Sequence, residues 1–455
     1  MSKEPIAKQT ESPLERIEES VESAEKTVEK LIPKKEIKEA KDYWKLLGPG
    51  LTTGASDDDP SGIATYSQTG AQYGFQLLWF APITFPLMSV VQEMCARIGL
   101  VTGRGLAANI RRHYPRWVLY TTAGLLFFAN TLNIGANLGA MAKAGQLLLP
   151  NLSFTIFLVF FTSITLLLQI FSTYEKYARY LKYLAFILFS YIASALLSKL
   201  DWSQVLNQAI IPSITFSKEQ IFLICAILGT TISPYLFFWQ TSQEVEEQIL
   251  EGETSIASRI GATPKAVKRM RIDVWSGMFL SNIVMFFIIA ASAATLFANG
   301  ITDITTAADA ASALRPLAGD AAYLLFAIGI VGTGLLAVPV LAGSASYAMS
   351  ESLGWKEGLF RKFKQAHGFY GVIIISMLIG LIINFTGIDP MKALIYSAVA
   401  NGLVAPVVLI QIVLISSNLK IMGKWASGRL NKSIGYFITA AMTLAGAATI
   451  LTIFI

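Results

Sequence analysis

At 455 residues, 54% hydrophobic and only 15% charged, with a mean hydropathy of +0.54, this chain reads as a polytopic membrane protein. A soluble domain carries nearer a quarter charged residues. The net charge of +6 calls for no nucleic acid, because the basic residues fall in alternate loops, and no glycine-rich phosphate cradle implies ATP. Cys95 and Cys225 lie in distant apolar segments and form neither a disulfide framework nor a zinc motif, and His113 and His367 alone offer little for a histidine-based site. No enzyme activity and no resident cofactor are expected.

Residues 1–42 are rich in Lys and Glu and read as a charged cytoplasmic tail, partly disordered and helical at most in part. The charged N-terminus is not a secretory signal. Apolar segments follow near 44–69, 77–98, 117–141, 153–171, 182–199, 221–241, 274–297, 321–349, 369–387, 392–416 and 433–455. That makes about eleven transmembrane helices, at about 20 residues each. Placing the tail inside puts Arg104, Arg111, Arg112, Arg116, Lys176, Arg179 and Lys182 in the cytoplasm. The same holds for Arg259, Lys265, Lys268, Arg269, Arg271, Lys356, Arg361, Lys362, Lys364, Lys420, Lys424, Arg429 and Lys432. Little more than Lys143, Lys199, Lys218 and Arg315 is left outside. This bias predicts an N-terminus in and a C-terminus out, in the cell membrane.

Two spans are interrupted at corresponding places. The first contains "TTGASDDDPSG", with Asp57, Asp58, Asp59 and Pro60 at membrane depth. The sixth, "FLICAILGTTISPYLFFWQTSQEVEE", is interrupted at Thr230, Thr231, Ser233 and Pro234. Irregular backbone at that depth is tolerated only where it lines a cavity or is buried in protein. Two breaks five spans apart predict two inverted five-helix repeats, residues 43–200 and 201–416, with a midplane site between them. Residues 417–455 then supply a cytoplasmic loop and an eleventh helix.

These stretches carry a family likeness over residues 44–416. "GPGLTTGASDDDPSGIATYSQTGAQYGFQLLW" resembles the first-helix region of the NRAMP divalent-metal transporters, whose motif there is Asp-Pro-Gly-Asn. "ILGTTISPY" resembles their sixth-helix stretch, in which an Ala and, three residues on, a Met precede Pro-His. "DAASALRPLAGDAAYLLFAIGIVGTG" and "GIDPMKALIYSAVANGL" are similar to the eighth and tenth helices with their preceding loops. The resemblance implies an all-α, LeuT-like fold with helices 1 and 6 broken around a metal site.

The departures from that pattern carry the finer expectation. Asp59 and Pro60 keep the Asp-Pro, but Ser61 stands at the family's Gly and Gly62 at its metal-binding Asn. Thr230 replaces the Ala, Ser233 the Met and Tyr235 the His. In "FFANTLNIGANLG", Thr131 and Ile134 stand where many members carry acidic proton-pathway residues. The combination resembles the NRAMP-related magnesium transporters, a divergent branch.

The chemistry agrees. A thioether favours Mn, Fe and softer ions, and replacing it with Ser233 leaves oxygens only: the Asp59 carboxylate, freed carbonyls near Thr230, and the Thr230 and Ser233 hydroxyls. Hard oxygens suit Mg²⁺, Mn²⁺ and Ca²⁺, and Mg²⁺ keeps several of its waters. Gly62 and Ser233 leave room for them. Asp57 and Asp58 are read as groups near the ion or as a negative potential drawing cations in, the bland alternative being contacts with helix ends. Asn401 is expected to touch a hydrated ion. Glu93 and Arg97 read as an internal ion pair, Glu244, Glu246 and Glu247 as a solvated helix end, and Asn130, Asn133 and Asn137 as an interhelical stripe.

The reading is therefore a secondary transporter, expected to be monomeric in the bilayer, that imports Mg²⁺ and also Mn²⁺ by alternating access without proton coupling. The nearest rival is a proton-coupled Mn²⁺/Fe²⁺ importer, against which Ser233, Tyr235 and the missing acids speak. A sodium-coupled organic-solute carrier is disfavoured because three aspartates would repel a carboxylate substrate. A receptor or scaffold without transport leaves the two matched breaks unexplained.

Overall fold

Proline and its preceding cap residue set the helix starts along this chain. In the computed structural model, Asp59-Pro60, Thr263-Pro264 and Asp389-Pro390 each open a helix, the side chain of the first residue accepting a backbone N–H and proline occupying the first turn. The structure describes residues 43, 47–171, 188–197, 200–304, 306–313, 319 and 322–454. The tail expected over residues 1–42 lies outside them, as do Lys176, Arg179, Lys182, Lys199 and Arg315.

Among the described residues the chain is helical, without strands. The main helices are α1 (Pro49–Asp57), α2 (Pro60–Tyr73), α3 (Phe80–Thr102), α4 (Leu106–His113), α5 (Arg116–Leu148), α6 (Phe154–Phe171), α7 (Phe189–Leu197) and α8 (Trp202–Ile210). They continue as α9 (Lys218–Thr231), α10 (Pro234–Leu250), α11 (Pro264–Thr295), α12 (Ala322–Leu353), α13 (His367–Ile383), α14 (Pro390–Ser416) and α15 (Arg429–Phe454). Seven segments are long and apolar enough to cross a bilayer: α5, α6, α9 with α10, α11, α12, α14 and α15. The remaining expected spans are present as α1 with α2, α3, α13 and the described part of the fifth.

The first span is α1 and α2 with Asp58 and Asp59 between them, and the sixth is α9 and α10 with Ile232 and Ser233 between them. The matched breaks of the inverted-repeat fold are thus both present. Helix α11 runs along α1, α2 and α3, while α5 packs against α12, α13 and α14. The α1–α11 contact is backbone on backbone. A Cβ at Gly54 would meet the Gly277 carbonyl oxygen at 2.1 Å, and one at Gly277 would meet that of Gly50 at 2.0 Å. Small residues at this spacing let membrane helices approach to that distance. The Asp273 carboxylate completes the join by accepting from Gly50 N (2.7 Å) and Leu51 N (3.1 Å), two donors that a helix start leaves orphaned.

The basic loops interlock on one side. Arg259 donates to the carbonyls of Gly103, Glu253 and Thr254, and Arg111 to that of Glu351. Glu93 takes Arg271 and Trp275 at 2.9 Å each, with Arg97 at 3.6 Å, so the expected Glu93–Arg97 pair is part of a larger cluster. Glu244 and Glu246 correct the expectation of a solvated helix end, since both are buried. Glu246 accepts from Tyr347 Oη, Leu359 N and Phe360 N, so a loop more than a hundred residues away folds over it. In that loop, burial lifts the Glu357 carboxyl above the usual carboxylate range, against the pull of Arg361, Arg259 and Arg104.

Candidate metal centre

Among the carbonyls each break leaves without a helical partner is the one four residues before the proline, which has no N–H to offer it. Pro60 orphans the Ser56 carbonyl, and Pro234 orphans that of Thr230. Both are capped by hydroxyls. Tyr235 Oη donates to Ser56 O at 2.7 Å, and Ser233 Oγ lies 2.7 Å from the carbonyls of both Thr230 and Gly229. The single Ser233 proton serves one of the two at a time, and each carbonyl keeps a further lone pair. The Tyr235 carbonyl in turn accepts from Ser344 Oγ on α12 (2.7 Å).

Asp59 is fully buried and caps α2. Its Oδ1 accepts from Ser61 Oγ (2.6 Å) and Gly62 N (2.8 Å), and its Oδ2 from Asn137 Nδ2 (2.9 Å) and Asn133 Nδ2 (3.1 Å). Four donors hold the carboxylate in one orientation. Asn133 Oδ1 accepts from Ser397 Oγ (3.0 Å), which ties α14 to the same cluster. Asn137 Oδ1 is buried without a partner among the described residues.

The interhelical bonding expected of the stripe is present at all three, Asn130 reaching Leu341 O (2.9 Å), but the sequence did not show that Asn133 and Asn137 meet Asp59. Their 133/137 spacing on an apolar helix was the available signal, since it puts both amides on one face. Thr131 and Ile134, at the positions where many members of the family resembled carry acids, make other contacts. Thr131 bonds to Phe127 O in its own helix, and Ile134 packs beside Gly380 of α13. Helix α5 carries no acidic residue at all.

Gly62 and Thr230 face each other across the two breaks. A Cβ at Gly62 would lie 3.1 Å from Asp57 O, 3.2 Å from Thr230 Oγ1 and 3.4 Å from Tyr66 Cε2. Asp59, Gly62, Thr230 and Ser233 are thus brought together.

Asp57 and Asp58 are buried to 0% exposure. Asp57 Oδ2 accepts from Ser281 Oγ of α11 (2.6 Å), while Asp57 Oδ1 and both Asp58 oxygens have no partner among the described residues. None of the three carboxylates pairs with a described Arg, Lys or His. The three do not form a cluster able to hold one ion between them. Asn401, on α14 one turn from Ser397, is buried, and neither amide atom has a partner among the described residues.

On the side of α2 and α9, a cavity of about 620 Å³ is lined by Gln68, Gln72, Glu219, Asp303, Lys392 and Tyr396 among others. The Tyr66 hydroxyl lies 3.0 Å from Thr231 Oγ1 between that cavity and the break.

Residues 50–452 match the family described as natural resistance-associated macrophage protein-like. The chain is 28% identical over 408 residues to the divalent metal cation transporter MntH of Klebsiella pneumoniae subsp. pneumoniae, covering 87% of this chain and 91% of that protein. Among solved structures it is similar to the Eremococcus coleocola manganese transporter, with a TM-score of 0.70 at 20% identity, covering 89% of this chain and 86% of the other. Mhp1, a nucleobase-cation-symport-1 family transporter in a closed conformation, shares the architecture more distantly, with a TM-score of 0.50 at 14% identity, covering 89% and 91%. The family match spans both breaks and nearly every helix around them, and the chain belongs to the Nramp family.

Proposed function

We propose that this chain is a divalent-metal transporter of the magnesium-carrying branch, taking Mg²⁺ and also Mn²⁺ into the cell by alternating access without proton coupling. The metal is cargo, and the protein is a carrier rather than an enzyme. The observation that carries the reading is Asp59, a buried carboxylate oriented by four donors at the meeting point of two broken helices. Metal sites of membrane carriers are built from such interrupted helices.

The donors gathered there support the finer reading. Asp59 with the hydroxyls of Thr230 and Ser233 makes an all-oxygen set, and Gly62 keeps a side chain out of the space before them. Hard oxygens suit an ion that keeps part of its water. Asp57 and Asp58 add negative potential beside it, and Asn401 offers an amide to the hydrated ion. The absence of acidic residues on α5 and the hydroxyl of Tyr235 in place of an imidazole support uncoupled transport.

On this reading the basic loops face the cytoplasm, the N-terminus is inside and the C-terminus outside. The chain works as a monomer in the cell membrane, and its two five-helix repeats span residues 43–200 and 201–416. The test is uptake of Mg²⁺, Mn²⁺ and Ca²⁺ into proteoliposomes with internal pH recorded. Saturable Mg²⁺ uptake at constant internal pH supports the reading, and uptake of Mn²⁺ that excludes Mg²⁺ refutes the preference.

A further inference from the structure

The two breaks are tied by tyrosine hydroxyls, one on each side of Asp59. Tyr66, on α2, reaches Thr231 at the end of α9 at 3.0 Å. The Thr231 hydroxyl donates its own proton to Ile227 O (2.7 Å), so Tyr66 is the donor. Tyr235, at the start of α10, donates to Ser56 O in the last turn of α1 (2.7 Å). Both phenols and both acceptors are buried.

The first bond joins α2 to α9, the halves that run toward the cavity lined by Gln68, Glu219 and Asp303. The second joins α1 to α10, the halves that run toward Asp273 and Glu246 on the side of the basic loops. Each tyrosine therefore connects half of the first span to the corresponding half of the sixth. Neither bond crosses from one side of the break to the other.

We infer that Tyr66 and Tyr235 are positioning residues that latch opposite gates of the ion site, so that losing either hydroxyl biases which face the site opens to. The inference rests on alternating access of a divalent ion at Asp59. A latch that stabilises closure on one face lowers the fraction of molecules open to that face. Apparent affinity there falls by that same fraction. Removing the hydroxyl while keeping the ring leaves the packing intact, and one hydrogen bond of ordinary strength corresponds to about a fivefold change in that equilibrium.

The experiment measures the KM for Mn²⁺ at each face, in whole cells and in inverted membrane vesicles, for the parent, Tyr66→Phe and Tyr235→Phe. Tyr66→Phe is expected to lower KM about fivefold at the face reached through α2 and α9 and to raise it at the other. Tyr235→Phe is expected to do the reverse. Thr231→Val should reproduce Tyr66→Phe, and combining the two should add nothing, since both remove one bond. Shifts of the same sign at a given face in both tyrosine variants, or no shift in either, overturn the latch assignment while leaving transport intact. A parent that carries no Mn²⁺ in either preparation overturns the transport reading itself, and the latches with it.

Discussion

Asn137 Nδ2 stands 2.9 Å from Asp59 Oδ2, yet the carbonyl oxygen of the same amide is buried and accepts from none of the described residues. The four lone-pair directions of the Asp59 carboxylate are already taken by Ser61, Gly62, Asn133 and Asn137. A cation approaching Asp59 must displace one donor, and an amide that turns over exchanges a donor for an oxygen ligand. We hypothesise that Asn137 does this. Asn137→Leu should raise the KM for Mn²⁺ by about tenfold, the effect of about 1.4 kcal/mol. Uptake kinetics indistinguishable from the parent would remove Asn137 from the site.

Asp59→Ala should abolish divalent-ion transport while the protein still elutes as a folded species from size exclusion. It removes the one carboxylate that the two breaks orient. It also strands the four donors of Ser61, Gly62, Asn133 and Asn137, at a cost of up to about 1–3 kcal/mol each where water does not replace the carboxylate. Parental uptake by this variant would contradict the placement of the ion at Asp59.

Protons give an independent check. With no acidic residue on α5 and Tyr235 engaged to Ser56 O, the prediction is that Mn²⁺ influx leaves the vesicle interior at constant pH. A pH-sensitive dye inside the vesicles reads this directly. Acidification that scales with metal influx and requires the protein would show that a proton route survives.

Selectivity is predicted to turn on two positions. Ser233→Met combined with Gly62→Asn should weaken Mg²⁺ as a competitor of Mn²⁺ uptake by about tenfold or more, equivalent to about 1.4 kcal/mol of differential binding. The thioether favours the softer ion, and the asparagine fills space. Its Cβ would start 3.2 Å from Thr230 Oγ1, so the two half-helices must ease apart by a few tenths of an ångström. Equal Mg²⁺ competition in parent and variant would show that selectivity is set elsewhere.

Glu246→Ala tests a contact remote from the ion. It strands Leu359 N, Phe360 N and the Tyr347 hydroxyl, and should cost about 1–3 kcal/mol of stability. The expected readout is a lower thermal midpoint in detergent, with KM at the parental value in molecules that remain folded. An unchanged midpoint would mean water replaces the carboxylate at no cost.

The fold and the two breaks that hold the candidate site are legible because they violate the rules of an apolar span. Asp59-Pro60 and Ser233-Pro234 put charge and missing N–H groups where a continuous helix cannot accommodate them. Asn133 and Asn137 were harder to read, since a stripe of amides looks the same whether it faces a neighbouring helix or a break. Thr131 and Ile134 lie on the same helix, yet a shift of one or two residues rotates a side chain by about 100–200° and carries it off the site. Glu246 was misread because a carboxylate at a helix end is usually solvated. Its burial comes from residues 357–360, and no local pattern reports a loop that folds over from so far along the chain.

At Gly50, Gly54 and Gly277 the half-helix α1 meets α11 with no side chain between them. Interfaces made of knobs in holes must repack rotamers before their helices can tilt. Two bare ridges of backbone present no such teeth. No rotamer has to repack when this pair tilts, while dispersion, the two bonds to Asp273 and the Ser281 bond to Asp57 hold α1 close and keep it from turning on its own axis.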